Sequence, residues 1–493
     1  MHVINMDSFM GNNSIDYVVG QAESMIPWAQ RNTCNRQYPH YRLLTLFRER
    51  STRTMLATET AGDNMGMKVT RFADPNQSSM GKGESFTDDL RMHVGRNTRI
   101  VAIRTSIEGE PLYIAKRCQE YVTDFSVINP GPVNIINCGD GRQWHPTQTV
   151  LDMLTIKRTL GRLDNFTLGI MGDPSKGRTA HTLLQAFCRR EGMKFKFAAP
   201  KGFELPDRYK LSLANVTEGD SLDILADCDI VYVTRFQLER MSTEEKRYIE
   251  SVRHRFIINQ DVLDSWKPDV RVMHPLPRVD EIDSEVSLDK RIIAFQQAEY
   301  GIPARMAIIA MLCETQYVPI DLHPVQQPFF IDQTEKTVVT GKPLKHFQPI
   351  KCGTVIDHIP PGQADNIERL LKLLQCLPGG ISGQSVRYVK SSRHPSGKKD
   401  VLLLNDYELP EFAGATIQTL YPGVTINYLP GNSTILKRRY RAPIGISQNV
   451  HCTNNACITN NDREAKPNFL FTGQPGADSK ILTCEYCGTP LWD

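Results

Sequence analysis

Between about residues 97 and 315, short apolar runs alternate with segments of helical spacing: RIVAIR (99–104), VNIINC (133–138), FTLGIMGD (166–173), FKFAAP (195–200), DIVYVTR (229–235) and VRVMHPLP (270–277). This alternation predicts parallel sheets covered by helices, arranged as two lobes. The stretch TVLDMLTIKRTLGR (149–162) carries Leu151, Leu154 and Ile156 near helical spacing and is expected to connect them. Beyond Glu314 the periodicity lapses, and the proline-rich, polar residues 315–345 are predicted to be an interdomain linker. A different unit follows. Strand-like IKCGTVIDHI, helix-like NIERLLKLLQCL, strand-like SVRYVK and DVLLLN, helix-like LPEFAGATIQTLY and strand-like VTINYL give the order βαββαβ, expected for a ferredoxin-like α+β domain.

Length and charge narrow the classes. A chain of 493 residues implies two to four domains, since one core rarely grows past about 250–300 residues. The net charge of +3 supplies no broad cationic face for nucleic acid, and no apolar run reaches the roughly 18 residues that cross a bilayer. The N-terminus, with neither a basic start nor an apolar core, is not expected to be a secretory signal, so the expected location is the cytoplasm. The scattered cysteines are expected to be reduced.

Chemistry first appears in RERSTRTM (48–55). Ser51, Thr52, Arg53 and Thr54 open a predicted helix, whose first amides are unpaired and lie at the positive end of its dipole, so hydroxyls and a guanidinium there form an oxyanion site. The plain alternative is a serine N-cap beside solvated surface. Further candidates share the pattern. SSMGKGES (78–85) offers Lys82 on a glycine-bearing loop, GDGRQWHPTQT (139–149) presents His145 and Gln148 at a helix start, and GDPSKGRTAH (172–181) holds Arg178 at a strand-to-helix turn. VTRFQLER (233–240) offers Arg235 and Gln237 two residues apart. A loop, a self-capping histidine or surface salt bridges would explain each one separately. Together, Arg53, Lys82, Arg104, Arg178 and Arg235 fall at strand ends or helix starts, where one cleft could collect them around substrates rich in anionic oxygens. No paired carboxylates and no Ser/His/Asp set accompany them, leaving transfer by positioning and electrostatics.

The order and spacing of STRT, HPTQT, GRTAH, TRFQLER, HPLPRVDEI and FQQAEYGIPAR resemble the aspartate carbamoyltransferase family over roughly residues 1–315. The resemblance implies transfer of the carbamoyl group of carbamoyl phosphate to L-aspartate, in pyrimidine synthesis. By it, residues 1–150 form a carbamoyl-phosphate lobe and 151–314 an aspartate lobe. Ser51, Thr52, Arg53 and Thr54 hold phosphate; Thr54, Arg104 and His145 polarise the carbamoyl oxygen; Gln148 and the backbone at Pro275 and Leu276 bind the carbamoyl group. Arg178, Arg235 and Gln237 grip the aspartate carboxylates, and a loop bearing Ser78 and Lys82 enters from a neighbouring chain, which makes the catalytic unit a trimer. The rival within this chemistry, ornithine carbamoyltransferase, usually has HCLP where this chain has HPLPR. Two departures stand out: Arg50 replaces a usual proline or alanine, and Met55 a common arginine.

Cys452-x4-Cys457 and Cys484-x2-Cys487 have the spacing of a closed, structural tetrahedral zinc site, with no place for substrate. A nucleic-acid zinc ribbon shares this spacing, but only LKRRYR is notably basic nearby. Residues 345–493 resemble the regulatory chain of the two-subunit bacterial enzyme, with a nucleotide-binding domain at 346–440 and a zinc domain at 441–493. The resemblance implies CTP and ATP as effectors, with Asp357 and His358 near ribose or phosphate, Asn427 near base or ribose and Lys437 near the phosphates; Leu403 stands where a lysine is expected. Trimerising catalytic parts and pairing regulatory parts of one fused polypeptide would give a homo-oligomer as large as a hexamer.

Overall fold

In the computed structural model these apolar runs become strands of two parallel sheets. The structure describes residues 2–9, 14–72, 88, 90–91, 97–124, 132–210, 212–238, 241–315, 330–337, 352–377, 383–390, 397–430, 434–440, 442–443, 445–447, 450–472 and 481–491. Two compact units divide the chain, Met1–Ile320 and Asp321–Asp493.

The first unit begins with α1 (Ile15–Gln30), β1 (Arg42–Phe47), α2 (Thr52–Asn64), β2 (Lys68–Arg71), β3 (Thr98–Thr105), α3 (Glu110–Asp124) and β4 (Asn134–Asp140). Its four strands pair in the order β2-β1-β3-β4, all parallel. Helix α4 (Pro146–Leu160) leads into the second sheet, made of β5 (Thr167–Met171), β6 (Lys194–Ala198), β7 (Val216–Gly219), β8 (Ile230–Val233) and β9 (Arg271–Met273) in the order β7-β6-β5-β8-β9. Helices α5 (Arg178–Phe187) and α6 (Thr243–Val252) follow β5 and β8; α7 (Ala294–Glu299) and α8 (Gly301–Glu314) close the unit. The lobe boundary at residue 150 needs correction, because α4 runs unbroken through it to Leu160 and ends at Gly161, whose φ of 71° suits a left-handed cap.

Both sheets change winding direction at one point, between β1 and β3 in the first and between β5 and β8 in the second. Crevices outside the carboxyl ends of strands at such points are where open α/β sheets place ligands. Helix α8 is apolar on every side and buried from Ala304 to Leu312, packing on α1 and α2. A helix without a polar face belongs inside a core, and this one ties both lobes to a common interior. Among the described residues, no helix is long and apolar enough to cross a membrane.

In the second unit, β11 (Gly353–Ile359), α9 (Ala364–Leu373), β12 (Gly383–Lys390), β13 (Lys398–Asn405), α10 (Glu411–Leu420) and β14 (Thr425–Leu429) have the expected βαββαβ order. The sheet extends further than that, through β15 (Thr434–Tyr440) and β10 (Phe330–Thr337), in the order β10-β15-β14-β11-β13-β12. The expected linker at 315–345 is therefore not linker throughout. Its residues 330–337 form an edge strand antiparallel to β15, with Phe330 opposite Tyr440 and Thr337 opposite Thr434. A separate antiparallel sheet follows, of β16 (Gly445–Ile446), β17 (Phe469–Thr472) and β18 (Ile481–Cys484).

Candidate active site and metal site

A cavity of about 900 Å³ opens at the carboxyl ends of both parallel sheets, and the candidates from both lobes line it: Ser51, Thr52, Arg53, Thr54, Arg104, His145, Gln148, Arg178, Arg235, Gln237, Pro275 and Leu276. Ser78 and Lys82 lie outside the described residues.

Ser51 occupies the N-cap position of α2, yet its hydroxyl makes no capping bond, so the plain capping explanation does not hold. The hydroxyls and first-turn amides instead border the cavity. Burial holds the Arg53 guanidinium below its ordinary pKa, and Arg53 has no carboxylate partner among the described residues. Largely exposed on the cavity wall and uncompensated, this cation is placed to receive an anion.

Arg104 projects from β3 across the base of the crevice. Its Nη1 donates to Cys138 O at 3.1 Å and lies 3.2 Å from His145 Nε2, and its Nη2 lies 3.2 Å from Glu49 Oε1. A guanidinium only donates, so His145 Nε2 accepts here and the ring proton sits on Nδ1, 3.3 Å from Thr147 Oγ1. Burial first, then Arg104, Arg178 and Arg305, keep the imidazole pKa well below 6.5. The unfolded chain takes up that proton near pH 6.5 and the folded one does not, so this residue costs folded-state stability as pH falls below that value. Nitrogen-15 spectra of His145 are accordingly expected to show a neutral ring protonated on Nδ1 at pH 6; an imidazolium signal there would refute the assignment.

Arg178, at the start of α5, is gripped by Glu49 in a two-bond fork, Nη1 to Oε2 and Nη2 to Oε1, each 3.0 Å, and donates to Gly141 O at 2.9 Å. Glu49 thereby connects a cation of the first lobe, Arg104, with one of the second. Sequence reasoning missed Glu49, and no spacing signal marks it. Gly139 has a φ of 118°, and a Cβ there would come within 3.0 Å of Arg104 Nη1 and 3.1 Å of Arg178 Cζ, so only glycine lets both guanidiniums approach.

Gln237 follows β8 and is held by Nε2 donation to Lys176 O at 2.9 Å. Leu276 adopts a φ of 54°, unfavourable for a branched side chain, and its N–H donates to His274 Nδ1 at 2.8 Å. The opposite nitrogen of His274 meets Glu281 Oε1 at 2.6 Å in a buried pair. The Pro275–Leu276 backbone is thus pinned from beneath. Arg305, fully buried, also borders the cavity and is bonded to Thr58, Gly301 and Thr147; a cation inside the apolar α8 gave no periodic signal.

The effector candidates gather on the sheet of the second unit. Register places Asn427 opposite both Val355 and Lys437, and Val355 opposite Leu403, so these side chains share one face, with Asp357 two residues beyond Val355. Asp357 bonds Lys399 Nζ at 2.5 Å and the His358 N–H at 2.7 Å, while His358 has a φ of 60°. Leu403 is only 2% exposed and offers no charge.

Cys452, Cys457, Cys484 and Cys487 are all buried, and their sulfurs lie within 4.8 Å of one another, with Cys452–Cys487 at 3.4 Å and Cys457–Cys484 at 3.7 Å. A tetrahedral zinc with arms of about 2.3 Å puts its sulfurs about 3.8 Å apart. The four thiols fit structural zinc, and nothing in this cluster leaves a position for a reactant.

Residues 1–158 match the family described as aspartate/ornithine carbamoyltransferase, carbamoyl-P binding domain, and residues 164–312 its Asp/Orn binding domain. Residues 346–441 match the aspartate carbamoyltransferase regulatory chain, allosteric domain, and 445–492 its metal binding domain. The aspartate carbamoyltransferase catalytic subunit of Clostridium botulinum is 42% identical over 274 residues, 54% of this chain and 84% of that protein. Among solved structures, the catalytic subunit of M. jannaschii aspartate transcarbamoylase superposes with a TM-score of 0.54 at 35% identity, covering 64% of this chain and 98% of that one. Aspartate transcarbamoylase from Trypanosoma cruzi in complex with N-(phosphonacetyl)-L-aspartic acid gives 0.53 at 26% identity, covering 62% and 94%. With cations of two lobes meeting in one crevice and these matches running from end to end, the chain belongs to the aspartate carbamoyltransferase family, carrying catalytic and regulatory domains in one polypeptide.

Proposed function

We propose that the chain transfers the carbamoyl group of carbamoyl phosphate to L-aspartate, giving N-carbamoyl-L-aspartate and phosphate. One observation carries this reading: the oxyanion-binding start of α2 and the Arg178, Arg235 and Gln237 set border a single cavity. Two anionic reagents repel each other in water; guanidinium forks facing one crevice hold them in contact. Ser51, Thr52, Arg53 and Thr54 take the phosphate. As the aspartate amine attacks, negative charge builds on the carbamoyl oxygen, and Thr54, Arg104 and His145 stabilise it. His145 Nε2 donates there once the ligand draws Arg104 away and the ring proton changes nitrogen. The proton lost by the amine leaves with phosphate, which needs no further activation as a leaving group. The Pro275–Leu276 backbone, pinned by His274, holds the carbamoyl group. Formation of N-carbamoyl-L-aspartate, measured against aspartate concentration with ornithine in a parallel reaction, tests this; turnover of ornithine and not aspartate would reverse it.

The reading extends to assembly and control. Lys82 and Ser78 complete each site from a neighbouring chain, so the working unit contains catalytic trimers, and a hexamer is the largest assembly foreseen. Sedimentation showing only active monomers would remove this part. CTP and ATP bind the sheet face bearing Asp357, Asn427 and Lys437, beside His358. Typical coupling between sites is 5- to 150-fold, and with Leu403 supplying no charge the expected shift in half-saturating aspartate is about fivefold. Asp357→Ala should abolish the shift and leave turnover without nucleotide unchanged. An undiminished shift in that variant would place the effectors elsewhere.

A further inference from the structure

Asp152 lies one helical turn beyond Gln148 on α4, with no solvent exposure. Three donors converge on it. Gln148 Nε2 donates to Oδ1 at 2.9 Å, Gln297 Nε2 to the same oxygen at 2.6 Å, and the Tyr232 hydroxyl to Oδ2 at 2.9 Å. These donors come from three places: Gln148 from α4, Tyr232 from β8 in the second sheet, and Gln297 from α7. The orientation of Gln297 is fixed independently, because its Oε1 accepts the His274 N–H at 2.8 Å. Burial pushes the Asp152 carboxyl up to about 7 against the pull of Gln297, Tyr232, Gln148 and Arg305. A group this unfavourable to bury would weaken the fold if its only task were to fill space.

Gln297, turned by the His274 N–H, presents its Nε2 to Asp152 Oδ1, so this oxygen offers a lone pair and not a proton to the amides around it. Gln148 must therefore turn its Nε2 toward Asp152, which leaves Oε1 as the amide atom available to the cavity that Gln148 lines. We propose that Asp152 is a positioning residue: it fixes the Gln148 amide with its oxygen toward the substrate, selecting a transferable group that carries an N–H donor. The inference rests on the carbamoyl-transfer reading and extends it to the choice of donor substrate. A carbamoyl –NH2 satisfies Oε1; an acetyl methyl in the same place cannot and leaves a buried acceptor unpaired. Through Gln297 and the His274 N–H, the same carboxylate also steadies the Pro275–Leu276 backbone on the other side of the group.

Asp152→Asn tests the assignment, since it keeps the shape, removes the charge and offers Gln148 a donor, so that its amide can turn over. Three constants are read: the KM for carbamoyl phosphate and the inhibition constants of acetyl phosphate and inorganic phosphate. An unpaired buried acceptor corresponds to about 10- to 100-fold in affinity. The KM is expected to rise by that factor, the preference for carbamoyl over acetyl phosphate to fall by the same factor, and phosphate, which meets only the α2 end of the site, to stay within about twofold. Equal weakening of all three would mean a structural strut and would overturn the inference, as would an unchanged preference. Should the variant fail to fold, the wild-type enzyme answers instead: the Gln148 Nε2 protons should keep their hydrogen-bonded chemical shifts when carbamoyl phosphate binds, and transfer of those bonds to the ligand would overturn the assignment. Wild-type enzyme that forms no N-carbamoyl-L-aspartate would defeat the underlying reading; an active wild type whose Asp152→Asn variant keeps its donor preference would defeat this inference alone.

Discussion

Arg53→Ala is expected to lower kcat about 10³-fold, the upper range for losing one donor to developing negative charge. The guanidinium stands at the start of α2 with no carboxylate partner among the described residues, and burial alone depresses its pKa. The departing phosphate gains negative charge as the bond to the carbamoyl carbon lengthens, so the interaction with Arg53 strengthens on the way to the transition state. Losses of that kind appear in kcat. The KM for carbamoyl phosphate should change less, because Ser51, Thr52, Thr54 and the first-turn amides still bind the ground state. Thermal stability should hold, since removing an exposed cation without a carboxylate partner breaks no ion pair. Arg53→Lys keeps the charge and loses the planar fork, and should recover only part of the rate. Rapid-quench measurement of N-carbamoyl-L-aspartate formation at saturating substrates decides the matter, and a kcat within tenfold of wild type would remove Arg53 from the chemistry.

Removing zinc is expected to unfold the segment from Gly445 to Leu491. Its sheet is small: β16 contributes two residues and β17 and β18 four each. Below about 40–50 residues a core rarely sustains a fold without a staple. Four buried thiolates around one metal provide it, and structural zinc in comparable sites contributes about 10–16 kcal/mol at neutral pH. A chelator, or Cys484→Ser, should release one zinc per chain and render this segment protease-sensitive. The cavity of the candidate active site is built wholly from residues of Met1–Ile320, so carbamoyl transfer should persist in the treated protein while its response to nucleotides is lost. Mass spectrometry of metal content with limited proteolysis reads both effects. Full protease resistance after the metal has left would show that the cysteines are ordinary core residues.

Parallel strands announce themselves because both faces are covered, so RIVAIR and DIVYVTR stand out as apolar runs, and the polar residues just after them fall where such sheets bind ligands. Arg104, Arg178 and Arg235 were legible for that reason, and Ser51 to Thr54 because helix starts need oxyanion or side-chain partners. Glu49 was not. An acid beside an anion site looks repulsive in sequence, and only the two-bond fork to Arg178 shows that it orders the cations. Asp152 was hidden differently, as one polar residue on a helix whose partners lie far along the chain. The strand Phe330–Thr337 pairs with residues about a hundred positions later, so prolines on either side of it outweighed a non-local pairing that local propensity does not record.

The central physical claim is that cations from two lobes share one crevice and there hold a phosphate and a dicarboxylate at once. Isothermal titration with N-(phosphonacetyl)-L-aspartate, which joins both anions in one molecule, tests it most directly. The expected result is one ligand per chain, bound at least about 10²-fold more tightly than phosphate or aspartate alone, with that gain lost in both Arg53→Ala and Arg178→Ala. Binding no tighter than either fragment would contradict the shared crevice.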